Sequence, residues 1–235
     1  MQINICMITV IIPTLWLSDV FDQSITSLNN LEIIKDIIVI DNCATDRNLN
    51  FEKFGDKQCS NQITDYGVFA IEQYGKIRVV VPKENLYVSK SWNIGAYLSS
   101  QQYLCILNDD VVLPDSLFDF VVRHMSSQVG IIGLHADCFK NESNNLSISP
   151  VRTRPNGFGC CMFIERYKYV PIPESIQIWY NDDYLFSKIP GIHYSLTELK
   201  VSGSISKTVN NTTRQEEIKK IISQDRIAYI TLMNL

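Results

Sequence analysis

Three polar stations in this chain follow directly on apolar runs, and each is of a kind that holds oxygen-rich ligands. Pro13-Thr14 ends one run, Asp41-Asn42 a second, and Asn108-Asp109-Asp110 a third. Carboxylates and amides are hard oxygen donors, the set that Mn²⁺ or Mg²⁺ prefers. No Gly-rich loop accompanies them. The turn after the first run reads Pro13-Thr-Leu-Trp-Leu-Ser18, which removes both the dinucleotide-binding fingerprint and the P-loop. A nucleotide diphosphate held here would have its charge met by a cation on carboxylates. An acidic pair after a strand also serves as a helix N-cap or a solvated turn, so the stations alone leave both readings open.

The elements that must position these stations are legible as alternating runs. Residues 8–13, 37–41, 77–82, 103–107 and 129–134 are strand-length and continuously apolar, the habit of strands buried on both faces of a parallel sheet. Helix-length stretches at 19–31, 88–100 and 114–127 lie between them, so the fold class is α/β. Open parallel sheets bind ligands beyond the carboxyl ends of their strands, where the three stations fall. Residues 44–76, with Gly55, Gly67 and Gly75, read as a loop containing one helix near 68–74, and 137–156 as a polar connection. A strand is expected at 158–164 and a helix at 182–188. Thr213-Arg-Gln-Glu216 has the capping-box pattern for a C-terminal helix presenting Ile218, Ile221 and Ile222 on one face.

Composition narrows the function classes. At 235 residues and 46% hydrophobic the chain is rich in core, and no repeat or Gly/Ser linker divides it, so a single domain over 1–235 is expected. A net charge of −4 argues against a nucleic-acid binder. The longest apolar run, 5–17, is interrupted by Thr9, Pro13 and Thr14, falls short of the ~20 residues of a membrane span, and lacks the flanks of a signal peptide. Seven cysteines without a C-x-x-C pair suggest neither a zinc site nor a disulfide framework. The expectation is a soluble protein of a reducing, cytoplasmic setting. The sequons at Asn141, Asn145, Asn210 and Asn211 are then chance in an Asn-rich chain.

Read in order, the segments resemble the inverting family-2 nucleotide-sugar glycosyltransferases, which have the GT-A fold. Ile8-Thr-Val-Ile-Ile-Pro-Thr14 looks like the family's opening strand, and Ile38-Val-Ile-Asp-Asn42 with Thr45-Asp46 like its V-V-D-D/N-x-S-x-D segment. Asn85-Leu-Tyr-Val-Ser-Lys-Ser-Trp-Asn-Ile-Gly-Ala96 is similar to N-x-G-x-x-x-x-x-N-x-G-x, and 103–114 to the strand that ends in the D-x-D metal motif. Residues 159–166 and Asn181-Asp-Asp-Tyr-Leu185 resemble the acceptor-side segment and the E-D motif.

The resemblance implies a single GT-A domain, a mainly parallel mixed sheet flanked by helices. Residues 1–110 would bind the nucleotide and 111–235 form the acceptor side. It implies metal-assisted transfer of a hexosyl or similar sugar from a nucleotide-sugar to the hydroxyl of a glycan or other acceptor, with inversion. Pro13, Thr14, Asp41 and Asn42 would lie at the nucleotide, with Asp41 accepting from a ring N–H of the base. Lys90 and Asn93 would lie near the nucleotide or diphosphate. Asn108 would face the ribose, Asp110 would hold Mn²⁺ or Mg²⁺ with Asp109 sharing the load, and Asp182 would be the general base. Asp183 is its rival.

Several positions depart from the family pattern. Tyr87 stands where glycine is usual, D-x-D has become N-x-D, and Asn181 replaces the E of E-D. These keep a decayed nucleotide- or glycan-binding module as an alternative. A sugar nucleotidyltransferase is a weaker one, since the 13–18 turn lacks a basic Gly-rich loop. Arg152, Arg154, Arg166 and Lys168 span the acceptor-side segment, and form either a seat for an anionic acceptor or a solvated face. His193 is read as structural.

Overall fold

The structure is a computed structural model that describes residues 7–43, 47, 49–142, 145–203 and 215–234. In chain order the strands and helices are β1 (Ile8–Thr14), α1 (Phe21–Asn30), β2 (Ile34–Asp41), β3 (Lys57–Thr64), β4 (Gly67–Tyr74), β5 (Ile77–Val81) and α2 (Tyr87–Leu98). Then come β6 (Tyr103–Leu107), β7 (Val111–Val112), α3 (Ser116–His124), β8 (Val129–Leu134), β9 (Ile148–Val151), β10 (Cys161–Glu165), α4 (Asn181–Lys188), β11 (Ile192–Leu196), β12 (Ser202–Gly203) and α5 (Gln215–Met233).

Ten strands form one mixed sheet in the order β3-β4-β5-β2-β1-β6-β10-β8-β11-β9. Its centre, β5-β2-β1-β6, is parallel. These are the continuous apolar runs, and both of their faces are covered. Val10 and Ile12 join the core beneath α1 and α3, whereas Ile11 packs with Trp92 and Ala96 of α2. Gly95 lets α2 lie close on β1, because a Cβ there would come within 2.3 Å of the Ile11 side chain. Beyond β6 the sheet turns antiparallel through β10, and β8 and β11 pair in parallel. The register sets the rim. Thr14 pairs with Asp41 and Ile11 with Ile106, so the three polar stations emerge along one edge.

Three stretches differ from the sequence reading. Residues 57–74 form a hairpin, β3 and β4, rather than a loop with a helix at 68–74. Phe69 and Ile71 are buried while Val68 and Ala70 face out, a strand alternation too short to set it apart from a helix in the sequence. Tyr74 is buried in a different core cluster. All of β3 except Thr64 is exposed, so burial left no pattern in its sequence. The connection 137–156 carries the edge strand β9, paired with β11. The expected strand at 158–164 begins with a 3-10 turn, Phe158–Cys160, before β10.

In α5, Ile218 and Ile221 are buried and Ile222 is half-buried. Thr45, Asp46, the capping Thr213, the sequons at Asn210 and Asn211, and Cys6 lie outside the described residues. Among the described residues no helix is long and apolar enough to cross a membrane.

Candidate active site

The carboxyl ends of β1 and β6 open into a cleft of about 680 Å³, closed on its far side by the start of α4 and the first turns of α5. Pro13, Thr14, Asn42, Asn108, Asp109, Asp110 and Gly159 line it from the sheet, and Arg154 and Asp182 from the other side.

On the sheet side the stations are wired together. The Thr14 hydroxyl donates to Asp109 Oδ2 at 2.7 Å and accepts the Trp16 N–H at 2.9 Å. Asp109 and Asp110 are both buried, and burial pushes the Asp109 carboxyl up to about 6. The Thr14 bond works against that rise and the neighbouring Asp110 charge adds to it. Two adjacent carboxylates at a cleft wall fit a hard cation that takes its remaining oxygens from a diphosphate. Among the described residues no group of three or more His, Cys, Asp or Glu gathers to hold a metal by itself.

Asp41 is fully buried and does not line the cleft. Its carboxylate accepts the Trp16 indole N–H at 2.7 Å, the Cys43 N–H at 3.1 Å and the Arg47 Nε–H at 2.6 Å. Trp16, held at φ 60° and wedged edge-on against Phe21 and Phe51, stands between Asp41 and the open space. The ring N–H that Asp41 meets is therefore supplied by the protein. Asn42 braces the neighbouring loop: its side-chain carbonyl accepts the Leu86 N–H at 3.0 Å and its amide donates to Ser91 Oγ at 3.1 Å. Tyr87 keeps a backbone suited to glycine, with φ 56°, and its hydroxyl lies 3.4 Å from Glu217 of α5.

Two expected donor residues lie off the cleft. Asn93 is buried on α2, where its amide donates to the Ile172 carbonyl at 2.8 Å and its oxygen accepts from Tyr169 and the Ile172 N–H. With both ends of the amide engaged it ties α2 to the 169–172 segment. Lys90 points towards Glu174, 4.0 Å away.

The opposite wall centres on Arg154. Its NH1 donates to Asp182 Oδ2 at 3.1 Å and its Nε to Asp183 Oδ1 at 2.6 Å. Asp182 lines the cleft and Asp183 does not. Burial raises the Asp182 carboxyl, and Arg154 pulls it back down. Gly159 leaves Asp182 its room, since a side chain there would come within 2.7 Å of Oδ2. Asn181 is spent on structure: its amide donates to the Ile178 carbonyl at 2.8 Å and its oxygen accepts from Ser89 of α2. Cys160 also faces the cleft, but burial pushes its thiol up to about 12, so it stays protonated and is no nucleophile.

The basic cluster does not form a patch. Only Arg154 lines the cleft, Lys168 is buried on the carbonyls of Ser127 and Val129, Arg166 donates to the Gln101 carbonyl, and Arg152 is exposed. His193 accepts the Ile131 N–H on Nδ1 at 3.1 Å within the sheet. Sequence spacing missed Trp16 and the α5 contribution of Glu217, Ile218 and Ile221. The isoleucine spacing signalled a buried helix face without saying what it covers.

Comparison with known proteins agrees with this architecture. The chain superposes on the crystal structure of S. aureus TarS 1-349 with a TM-score of 0.60 at 12% identity, covering 93% of this chain and 70% of that one. On the same protein in complex with UDP-GlcNAc the TM-score is 0.58 at 13% identity, over 83% of this chain and 57% of that one. In complex with UDP it is 0.58 at 14%, over 93% and 70%. At such identities the likeness is one of fold, the GT-A α/β arrangement. No curated protein sequence matches the chain. The model of the family "Glycosyl transferase family 2" matches residues 9–169, well over half of the chain. The chain belongs to glycosyl transferase family 2.

Proposed function

We propose that this protein transfers a sugar from a nucleotide-sugar donor to an acceptor hydroxyl, with inversion at the anomeric carbon. The observation that carries the reading is one cleft with Asp109 and Asp110 on its sheet wall and an Arg154-held Asp182 on the other. In this reading residues up to Asp110 form the donor half and those beyond it the acceptor half. Thr14 and Asn108 line the donor's seat, and Asp41 acts through Trp16, which it holds by the indole N–H. Asp110 with Asp109 would hold Mn²⁺ or Mg²⁺, whose charge offsets that growing on the departing diphosphate.

Asp182 takes the proton from the acceptor hydroxyl as its oxygen bonds to the anomeric carbon, while the bond to the diphosphate breaks. General-base help of this kind is worth typically ~10²–10⁴-fold. Arg154 opposes the rise that burial imposes on that carboxyl and aims it, and also holds Asp183, which stands outside the cleft. In the same reading the protein works in a reducing, cytoplasmic compartment, where its seven cysteines would stay thiols.

The test is a thermal-shift panel of nucleoside diphosphates and nucleotide-sugars, with and without Mn²⁺, followed by measurement of nucleoside diphosphate release. The complexes of TarS with UDP and UDP-GlcNAc support uridine compounds as the first members. A ligand at 100 times its Kd adds about 2.7 kcal/mol. Stabilisation together with slow hydrolysis supports the transferase. Stabilisation without any turnover favours the binding-module reading that Asn108 and Asn181 keep open.

A further inference from the structure

We propose that Asp225 of α5 is a positioning residue for the transfer reaction, acting through the backbone of residues 177–179; the proposal rests on the function assigned above. Asp225 is 1% exposed, and among the described residues its carboxylate is met by backbone N–H groups rather than by an ion pair. Oδ1 accepts the Gln177 N–H at 2.9 Å, and Oδ2 accepts the N–H groups of Ile178 and Trp179, each at 2.8 Å. A buried carboxylate is costly unless its oxygens are satisfied, and three converging N–H donors satisfy it.

The segment so held is a junction. The Gln177 carbonyl accepts the N–H groups of Val88 and Ser89 at the start of α2, at 3.0 and 3.1 Å. Trp179 and Tyr180 line the cleft, and Tyr180, with φ 67°, turns the chain into α4, where Asp182 stands in the first turn. Asp225 is thus tied to a segment that ends three residues before the proposed base. Without it, three N–H groups beside the cleft lose their acceptor, and the turn that leads to Asp182 loses the anchor on its approach. A shift of about 1 Å in a reacting group can cost ~10²-fold in rate. The stack of Tyr229 on Tyr180, centroids 5.1 Å apart, is independent of Asp225 and keeps α5 docked when the carboxylate is removed.

The experiment compares wild type, Asp225→Ala and Asp225→Asn. It measures amide hydrogen exchange at 177–179, UDP affinity with Mn²⁺, and the turnover of nucleotide-sugar hydrolysis with water as acceptor. In Asp225→Ala, exchange at 177–179 should rise at least tenfold with α1 and α3 unchanged. Turnover should fall at least tenfold, and the Kd for UDP should stay within about twofold. Asp225→Asn should recover part of both losses, since its single carbonyl oxygen accepts up to two of the three bonds. If the alanine protein proves unfolded, the asparagine protein carries the same comparison. Unchanged exchange at 177–179 overturns the latch, and raised exchange with wild-type turnover overturns its positioning role. A wild-type protein that hydrolyses no nucleotide-sugar overturns the transferase reading and the catalytic half of this proposal. The exchange data then still decide whether Asp225 orders the segment.

Discussion

The two walls of the cleft are built in opposite ways. The sheet wall is the edge of four parallel strands, and its polar residues are set by register: once β1 pairs with β2, Thr14 and Asp41 must stand side by side. The opposite wall has little regular structure to lean on. Arg154 sits in a loop, Asp182 at the head of a short helix, and Asp225 holds the approach to it from a helix near the end of the chain. A wall fixed by a sheet suits binding, where geometry is shared by ground and transition states. A wall fixed by a few charge-assisted bonds aims one carboxylate, and small errors there appear in rate. Variants of the first wall should therefore change affinity, with turnover lost as well where they remove the cation, and variants of the second should change turnover with affinity kept.

The largest effect expected is at Asp182. Asp182→Asn should retain nucleotide affinity and lose transfer by ~10²-fold or more in single-turnover measurements at matched donor occupancy. Asp183→Asn should keep most of its rate. Full activity in the first with collapse in the second would move the role one residue along. Next comes the sheet wall. Asp110→Asn should leave the fold intact and remove the Mn²⁺-dependent part of nucleotide binding, a loss of about tenfold or more in affinity. If its Mn²⁺ response equals that of wild type, the two walls do not divide the work as described.

Arg154→Gln sharpens the contrast through pH. Arg154 lowers the Asp182 carboxyl, so without it that group titrates at higher pH and less of it is ionised at any given pH on the acid side. The acid limb of the turnover profile should move upward. The deficit should be severalfold at low pH and shrink as pH rises, while nucleotide affinity stays near wild type. An acid limb that does not move would remove Arg154 from the base. The smallest effect is expected for Tyr87→Gly. Relief of the left-handed backbone, worth about 1–2 kcal/mol, is set against lost packing and the contact with Glu217. The melting temperature should change by only a few degrees, and UDP affinity by less than about twofold.

The sheet wall was also the legible one. Residues 37–40 and 103–107 are apolar throughout because both of their faces are buried, and that continuity names the element and the place where its carboxyl end must fall. Legibility stops where a polar side chain has two possible employers. Asn93 has the spacing of a donor-site residue, but its partners, Tyr169 and Ile172, are 76 and 79 positions away and leave no mark on its neighbours in sequence. Asp41 was readable as a site carboxylate, and the Trp16 and Arg47 that cover it were not. The hairpin at 57–74 failed for a different reason: β3 is wet on nearly its whole length, and a strand that buries nothing has no hydrophobic period to show.

The link between Asp225 and residues 177–179 also sets a schedule. Synthesis runs from the amino end at ~5–20 residues per second, and domains tend to fold in that order. The central strands, complete by Leu107, can pair while the remainder is still being made. Asp225 emerges only after 115 further residues beyond Asp110, on the order of ten seconds later at those speeds. For that interval the nascent chain carries the rim of Thr14, Asp109 and Asp110 without the residues that complete the cleft. Under the proposed function, nucleotide captured early would meet no aimed base, and the capacity to bind would precede the capacity to react.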